Sequence, residues 1–176
     1  MLTDDERDRH AVYTQRAVAE YYVGQLNGLL TEPLIVDPSA GDGVFGRYLR
    51  RQFPRSVLLE YDITPRAAGI VQQDWFELTL PTDRRIAVVG NPPFGFKHEL
   101  AAKFLQHAAA QPAVTLIAFF MPKKYQVLSQ LAKLLDDSWV LVQFQVPQLE
   151  SFRHPDGTRA MCPTVWAVVT REERAL

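Results

Sequence analysis

From residue 114 to residue 121 the chain runs Val-Thr-Leu-Ile-Ala-Phe-Phe-Met. A run that is apolar almost throughout is a strand covered on both faces, an arrangement found chiefly where helices flank a parallel sheet. The rest of the chain meets the same condition. Residues 34–37, 57–62 and 86–90 are further short runs led by aliphatic residues, and a weaker one precedes Asp74. Helical spacing fills much of the remainder. It is carried by Val18, Tyr21, Tyr22, Leu26, Leu29 and Leu30, by residues 44–52, by Leu100, Phe104, Leu105 and Ala108, and by Val127, Leu128, Leu131, Leu134 and Leu135. Thr14 is read as the N-cap of the first helix, with Gly28 and Pro33 bracketing its end. The alternation predicts an α/β fold, a Rossmann-like parallel sheet with helices on both faces. The last two runs, 139–146 and 164–170, have no helical pattern between them and are expected to form an antiparallel C-terminal strand pair at one edge.

The 176 residues are expected to form one domain, with residues 1–10 charged, aperiodic and flexible. At 47% hydrophobic the chain can bury a core. It has neither a membrane-length apolar run nor a signal peptide, so no membrane association is expected. A single cysteine, Cys162, excludes a disulfide framework and suits a reducing, cytoplasmic compartment. No metal is expected, because cysteine-based zinc sites are excluded and the four histidines, His10, His98, His107 and His154, lack ligand spacing and read as surface residues. A net charge of −1 excludes a generally basic nucleic-acid binder.

Gly41-x-Gly43-x-x-Gly46 follows a strand and opens a helix, and Asp62 closes the next strand about 20 residues on, the spacing of a nucleotide-type cofactor site. A pyrophosphate needs bare amides at the helix N-terminus. Here Asp37 precedes the turn and Asp42 sits between its glycines, and both would oppose a pyrophosphate by several kcal/mol, on the order expected for desolvated like charges. They suit the ammonium and sulfonium of S-adenosylmethionine. Asp74 can accept from the adenine amino group while Trp75 or Phe76 covers the ring; the same two aromatics also read as ordinary core.

Asn91-Pro92-Pro93-Phe94 follows the fourth run. An amide, two prolines and an aromatic plate make a socket for a flat group bearing an NH2, and also satisfy a plain turn. Asn91 Oδ1 and the Pro92 carbonyl can each accept one N–H of an exocyclic amine, and Phe94 can stack on a base for roughly 1–3 kcal/mol. Asn91 is compatible with adenine, cytosine or a glutamine amide.

In this order, Asp37-Pro38-Ser39-Ala40-Gly41-Asp42-Gly43, the strand-two acid, the Asp74 region and Asn91-Pro92-Pro93-Phe94 resemble class I S-adenosylmethionine-dependent methyltransferases. The similarity is greatest to the amino-group branch that includes N6-adenine methyltransferases. It covers about residues 13–121 and continues more weakly to the end, where Ser151-Phe152 and Cys162-Pro163 are similar to short phage- and virus-type members. Tyr13-Thr14 resembles that family's Tyr-Thr-Pro segment, with Gln15 in place of the proline, and so implies contact with the methionine end of the cofactor. The resemblance implies the usual strand order and a cofactor site of Tyr13, Thr14, Asp37, Pro38, Ala40, Gly41, Gly43, Asp62, Ile63, Asp74, Trp75 and Asn91. Asp62 is expected on the ribose, with Glu60 the competing acid. Asn91, Pro92 and Phe94 are the expected catalytic positions.

Loops at the carboxyl edge carry Lys97, Lys123, Lys124, Arg153, His154 and Arg159, a basic rim that either meets a phosphate backbone or is solvated surface. Pro93, Phe94, Lys97, Lys123 and Arg153 are the expected substrate contacts. Arg50, Arg51 and Arg55 lie towards the opposite edge. No separate target-recognition domain fits the length, so an unpaired or flipped adenine in DNA or RNA is expected, or help from a partner subunit. Two alternatives stand beside this one. One is a methyltransferase acting on a protein glutamine or small amine, whose motif more often ends in Tyr. The other is a non-catalytic, partner-binding subunit, against which the intact glycines, acids and Asn91 speak.

Overall fold

The computed structural model describes residues 12–148 and 151–172. The expectations for residues 1–10, including His10, lie outside them. In chain order the elements are β1 (Tyr13–Thr14), α1 (Arg16–Gly24), β2 (Leu34–Asp37), α2 (Val44–Gln52), β3 (Val57–Asp62), β4 (Val71–Gln72) and β5 (Ile86–Gly90), then α3 (Glu99–Ala110), β6 (Val114–Pro122), α4 (Leu128–Ala132), β7 (Trp139–Gln145), β8 (Phe152–Arg153), β9 (Arg159–Ala160) and β10 (Thr164–Arg171).

Seven strands form one sheet in the order β4-β3-β2-β5-β6-β10-β7. The first five are parallel, and β10 runs antiparallel between β6 and β7. The expected antiparallel pair is therefore present, with the later strand inside and the earlier one at the edge. Composition explains the choice: Thr164 through Val169 are all buried, whereas Val140, Leu141 and Val142 of β7 are exposed. Helices α1 and α2 cover one face, over Ile35, Ala87, Val89, Leu116, Phe120 and Trp166. Helices α3 and α4 cover the other, over Val36, Val88, Ile117, Phe119 and Val165. Alternation along each strand feeds both layers, which is why these strands read as continuous apolar runs. The fold is the expected Rossmann-like α/β arrangement. No helix among the described residues is long and apolar enough to cross a membrane.

Two helices are shorter than their sequence periodicity. The first starts at Arg16, behind Gln15 rather than Thr14, and stops at Gly24; turns carry the chain on past Asn27-Gly28, both poor helix formers. Thr14 is no N-cap, because residues 13 and 14 pair antiparallel with β8. The helix expected over residues 127–135 contracts to Leu128–Ala132 behind a 3-10 turn at Lys123–Gln126.

A second sheet, β1-β8-β9, has strands of two residues each. Phe152 attaches it to the core: its ring lies edge-on to Phe120 at 5.3 Å, and Phe120 also meets Tyr22 at 5.0 Å and Trp166 at 4.9 Å. Such ring pairs contribute about 0.5–1.5 kcal/mol each beyond area burial. The sheet thereby brings residues 151–160 beside the carboxyl ends of the central strands.

Candidate active site

Where β2 ends, the backbone turns through Pro38-Ser39-Ala40 into the glycine segment and α2. Gly41 and Gly43 take φ of +55° and +76°, a region L side chains rarely adopt. Space is equally restrictive at Gly41, where a Cβ would lie 3.2 Å from the Tyr13 ring. The third glycine serves packing. A Cβ on Gly46 would fall on the Glu60 carboxylate, so α2 can close on β3 only without a side chain there. Asp42 Oδ1 accepts from the Val44 N–H at 3.2 Å and anchors the helix start.

Asp37 is 1% exposed. Its Oδ1 accepts from the Ser39 N–H at 3.1 Å, and its Oδ2 is buried with no partner among the described residues. Burial pushes this carboxyl well above its ordinary value near 3.8; the Ser39 N–H opposes the rise, and the nearby Glu60, Asp62 and Asp42 add to it. The two acids of β3 differ in employment. Asp62 accepts from the Gly41 N–H at 2.7 Å and the Thr64 N–H at 2.8 Å, so its carboxylate staples the glycine turn to β3. Its acidity is also weakened by burial, against the pull of those N–H groups. Glu60 is 5% exposed and ion-paired through Oε2 to Arg50, while its Oε1 is buried with no partner among the described residues. An open cavity of about 320 Å³ lies against Glu60, lined also by Asp42, Gly43, Arg47, Arg50, Ala67 and Ile70. Ile63, next to Asp62, is exposed.

Farther along the sheet edge, Asp74 Oδ1 accepts from the Phe76 N–H at 2.9 Å and caps a short 3-10 turn. Trp75 does not face this crevice, contrary to expectation. It is 2% exposed, packs among the core residues under α3 and donates its indole N–H to the Phe104 carbonyl at 3.3 Å. Burial of its large apolar ring outweighs any use as a cover. Phe76 is the exposed aromatic of the pair, resting on Phe104 and His107. His107 also departs from expectation. It is half-buried, 4.9 Å from the Trp75 ring and 3.2 Å from the Leu78 carbonyl, and so belongs to the packing.

Asn91 follows the carboxyl end of β5. Gly90 brings the backbone against Asp37, whose Oδ1 stands 2.6 Å from where a Cβ at Gly90 would be. Asn91 Nδ2 donates to Thr14 Oγ1 at 3.2 Å, and Asn91 Oδ1 is buried with no partner among the described residues. Pro92 is buried, Pro93 exposed, and Phe94 half-buried against the core with its ring edge-on to His98 at 6.0 Å. Beyond it Gly95, Lys97 and His98 all take positive φ, a sharply turned segment that the Leu100 N–H closes by donating to the Phe94 carbonyl at 3.0 Å.

The structure thus gathers Tyr13, Thr14, Asp37, Gly41, Asp62 and Asn91 at one end of the sheet. The rim falls into two groups. Lys124 Nζ donates to the Lys97 carbonyl at 3.5 Å, which joins the loops after β5 and β6, and Lys123 is exposed beside them. Arg153 stands opposite Tyr13 across β1 and β8 and donates to the Gly157 carbonyl at 2.8 Å; Arg159 follows on β9. The contact between Thr14 and Asn91 spans 77 positions; the resemblance places both residues in one site but gives no bond between them.

No family model and no curated protein matches the sequence. Solved structures do match the fold. The 23S rRNA methyltransferase ErmE is 13% identical, with a TM-score of 0.64 over 92% of this chain and 70% of its own. The plantazolicin methyltransferase BpumL, in complex with a monoazolic desmethylPZN analog and SAH, is 12% identical, with a TM-score of 0.57 over 90% of this chain and 83% of its own. A Thermoplasma acidophilum protein, 1320, is 14% identical, with a TM-score of 0.60 over 92% and 89%. The chain therefore has the Rossmann-like fold on which the methyltransferases ErmE and BpumL are built.

Proposed function

We propose that this chain transfers a methyl group from S-adenosylmethionine to an exocyclic amino nitrogen, and that the acceptor is adenine N6 of an unpaired or flipped base in DNA or RNA. The observation that carries this is that two of the buried acceptors with no partner among the described residues, Asp37 Oδ2 and Asn91 Oδ1, belong to side chains next to Gly90, the first in space and the second in sequence. Such groups are uncommon in folded chains and cost about 1–3 kcal/mol each. A cationic cofactor satisfies the first and an amino N–H the second. The likeness to BpumL, which was solved with SAH, supports the cofactor, and the likeness to ErmE, an rRNA methyltransferase, supports a nucleic-acid acceptor.

When bound, S-adenosylmethionine supplies a methyl group on a positively charged sulfur, which leaves without acid or metal. Asp37 complements that charge, with Tyr13 and Thr14 at the methionine end and Pro38, Ala40, Gly41 and Gly43 as its floor. Glu60 takes the ribose hydroxyls in place of Asp62, whose carboxylate is already engaged by the glycine turn. Ile63 and Asp74 border the adenine. Asn91 Oδ1 and the Pro92 carbonyl accept the two N–H groups of the acceptor amine, orient its lone pair and stabilise the positive charge that develops. Phe94 holds the base, and Pro93, Lys97, Lys123 and Arg153 meet the flanking backbone. Target choice then rests with this rim or with a partner subunit, in a reducing, cytoplasmic setting.

The test is incubation with methyl-labelled S-adenosylmethionine and separate single-stranded DNA, RNA and protein fractions. Label is expected in nucleic acid, recovered as N6-methyladenine after digestion. Label in protein alone, or cofactor binding with no acceptor labelled in any fraction, overturns the assignment. The ribose contact is tested by calorimetry. Glu60→Gln is expected to weaken cofactor binding about 10–100-fold with little change in Tm, the worth of a hydrogen bond to a charged group. Asp62→Ala, which frees two loop N–H groups, is expected to lower Tm. Parent affinity in Glu60→Gln returns the ribose to Asp62.

A further inference from the structure

We infer that Thr14 is a positioning residue for Asn91: its hydroxyl anchors the Nδ2 end of the Asn91 amide and leaves Oδ1 to face the acceptor. This rests on the proposed amino-group transfer. An asparagine amide is nearly symmetric in shape, yet its two ends have opposite roles, and only the oxygen can accept an amine N–H. A socket for an NH2 group therefore needs something to hold the amide one way round. Thr14 stands where that is done. It is 6% exposed, it meets Nδ2 at 3.2 Å, and it leaves Oδ1 buried and unpartnered.

Thr14 is itself held from two directions. The backbone of β1 pairs with β8, Thr14 opposite Phe152 and Tyr13 opposite Arg153, and the Gln15 N–H donates to the Ser151 carbonyl at 3.0 Å. Phe152 is anchored edge-on to Phe120. On the other side the Tyr13 ring lies against Gly41. The hydroxyl that sets the amide is thus carried on a two-residue strand lodged between the glycine turn and the segment bearing Arg153. That placement explains why so short a strand is fixed in the main-chain hydrogen bonding of a second sheet.

The substitutions that separate this role from a structural one are Thr14→Val, which keeps the shape and removes the hydroxyl, and Thr14→Ser, which keeps the hydroxyl. At saturating cofactor Thr14→Val is expected to lower kcat about 5–20-fold, the loss of roughly one hydrogen bond expressed in the rate, with KM for the nucleic acid within about twofold of the parent; cofactor affinity falls as well, since Thr14 also borders the methionine end. Thr14→Ser restores kcat to within about threefold. Added to Asn91→Ala, Thr14→Val has no further effect, since there is no amide left to orient. Independently of activity, the side-chain NH2 signals of Asn91 in a nitrogen–proton NMR spectrum of the free protein are expected to be protected from exchange in the parent and to lose protection in Thr14→Val. An equal loss of kcat in the presence and absence of Asn91, or a fall in cofactor affinity with kcat unchanged, overturns the inference; the second result would make Thr14 a cofactor contact only. Unprotected Asn91 NH2 signals in the parent also overturn it. A parent that binds cofactor but methylates no acceptor sinks the proposed function instead, and the NMR signals then decide the Thr14–Asn91 contact by themselves.

Discussion

Asn91→Ala is expected to lower turnover by about 10²–10³-fold while leaving cofactor affinity and Tm near those of the parent, the scale of removing one preorganised hydrogen-bond group from a reacting centre. Three features set this expectation. Among the described residues Oδ1 is buried without a partner, so its hydrogen-bonding capacity is not spent on the fold and is open to the proposed acceptor amine. Nδ2 is held by Thr14, so the group is ordered before the acceptor arrives and needs little reorganisation in the transition state. The amide also lies off the end of β5 and outside the two hydrophobic clusters, so truncation leaves the packing intact. Single-turnover measurement at saturating cofactor reads the step directly. An unchanged rate would remove Asn91 from the chemistry and leave Asn91-Pro92-Pro93-Phe94 as a turn. Asn91→Asp distinguishes the two ends of the amide: it retains an acceptor oxygen and is expected to keep more activity than alanine, although Thr14 must then donate its own proton to hold the carboxylate.

The elements legible in the sequence are those whose signal is periodic and local. β2, α2, β3 and β5 occupy the residues that their apolar runs and helical spacing mark. The glycine turn is legible for a related reason, because positive φ and close approach leave few residue choices at Gly41, Gly43 and Gly46. Legibility fails where a contact competes with propensity. The pattern beginning at Thr14 is helical, but pairing with β8 pulls that residue into β1 and starts the helix two positions later. Trp75 sits beside Asp74 in sequence and yet on the opposite side of the turn, because its large apolar ring gains more in the core than at the edge. The choice between Glu60 and Asp62 is invisible in sequence, since both point to the same side of β3. The structure shows which carboxylate the Gly41 N–H already occupies, and the proposed ribose role of Glu60 rests on that. Short strands such as β8 and β9 have no period at all, and with them the whole link from Arg153 to Thr14 is out of reach.

Asp37→Asn is expected to separate stability from binding, raising the first and abolishing most of the second. In the free protein the Asp37 carboxyl is buried, with one oxygen unsatisfied and three other carboxylates nearby, and burial raises it well above 3.8. A carboxyl raised in the folded state stabilises the fold fully while protonated, below its unfolded value, and that contribution is lost as pH rises through the folded value. Asparagine keeps an acceptor for the Ser39 N–H and carries no charge. Its advantage over aspartate should therefore be absent in strong acid, grow as pH rises through the folded value, and reach on the order of 1 kcal/mol, or about 2–4 °C in Tm, near neutrality. Binding runs the other way. The positive charge of S-adenosylmethionine favours the ionised carboxylate, so the parent is expected to lose affinity as pH falls through the raised value, and binding at such a pH to release a proton. Calorimetry in two buffers of different protonation enthalpy measures that proton, which Asp37→Asn should no longer release. The variant should bind at least about 100-fold more weakly, the worth of a desolvated charge pair. Parent affinity in the variant, or a lower Tm at neutral pH, would show that the buried carboxylate serves the fold and not the cofactor. Both effects together would mean that the chain tolerates an unfavourable buried charge because a cation arrives to meet it.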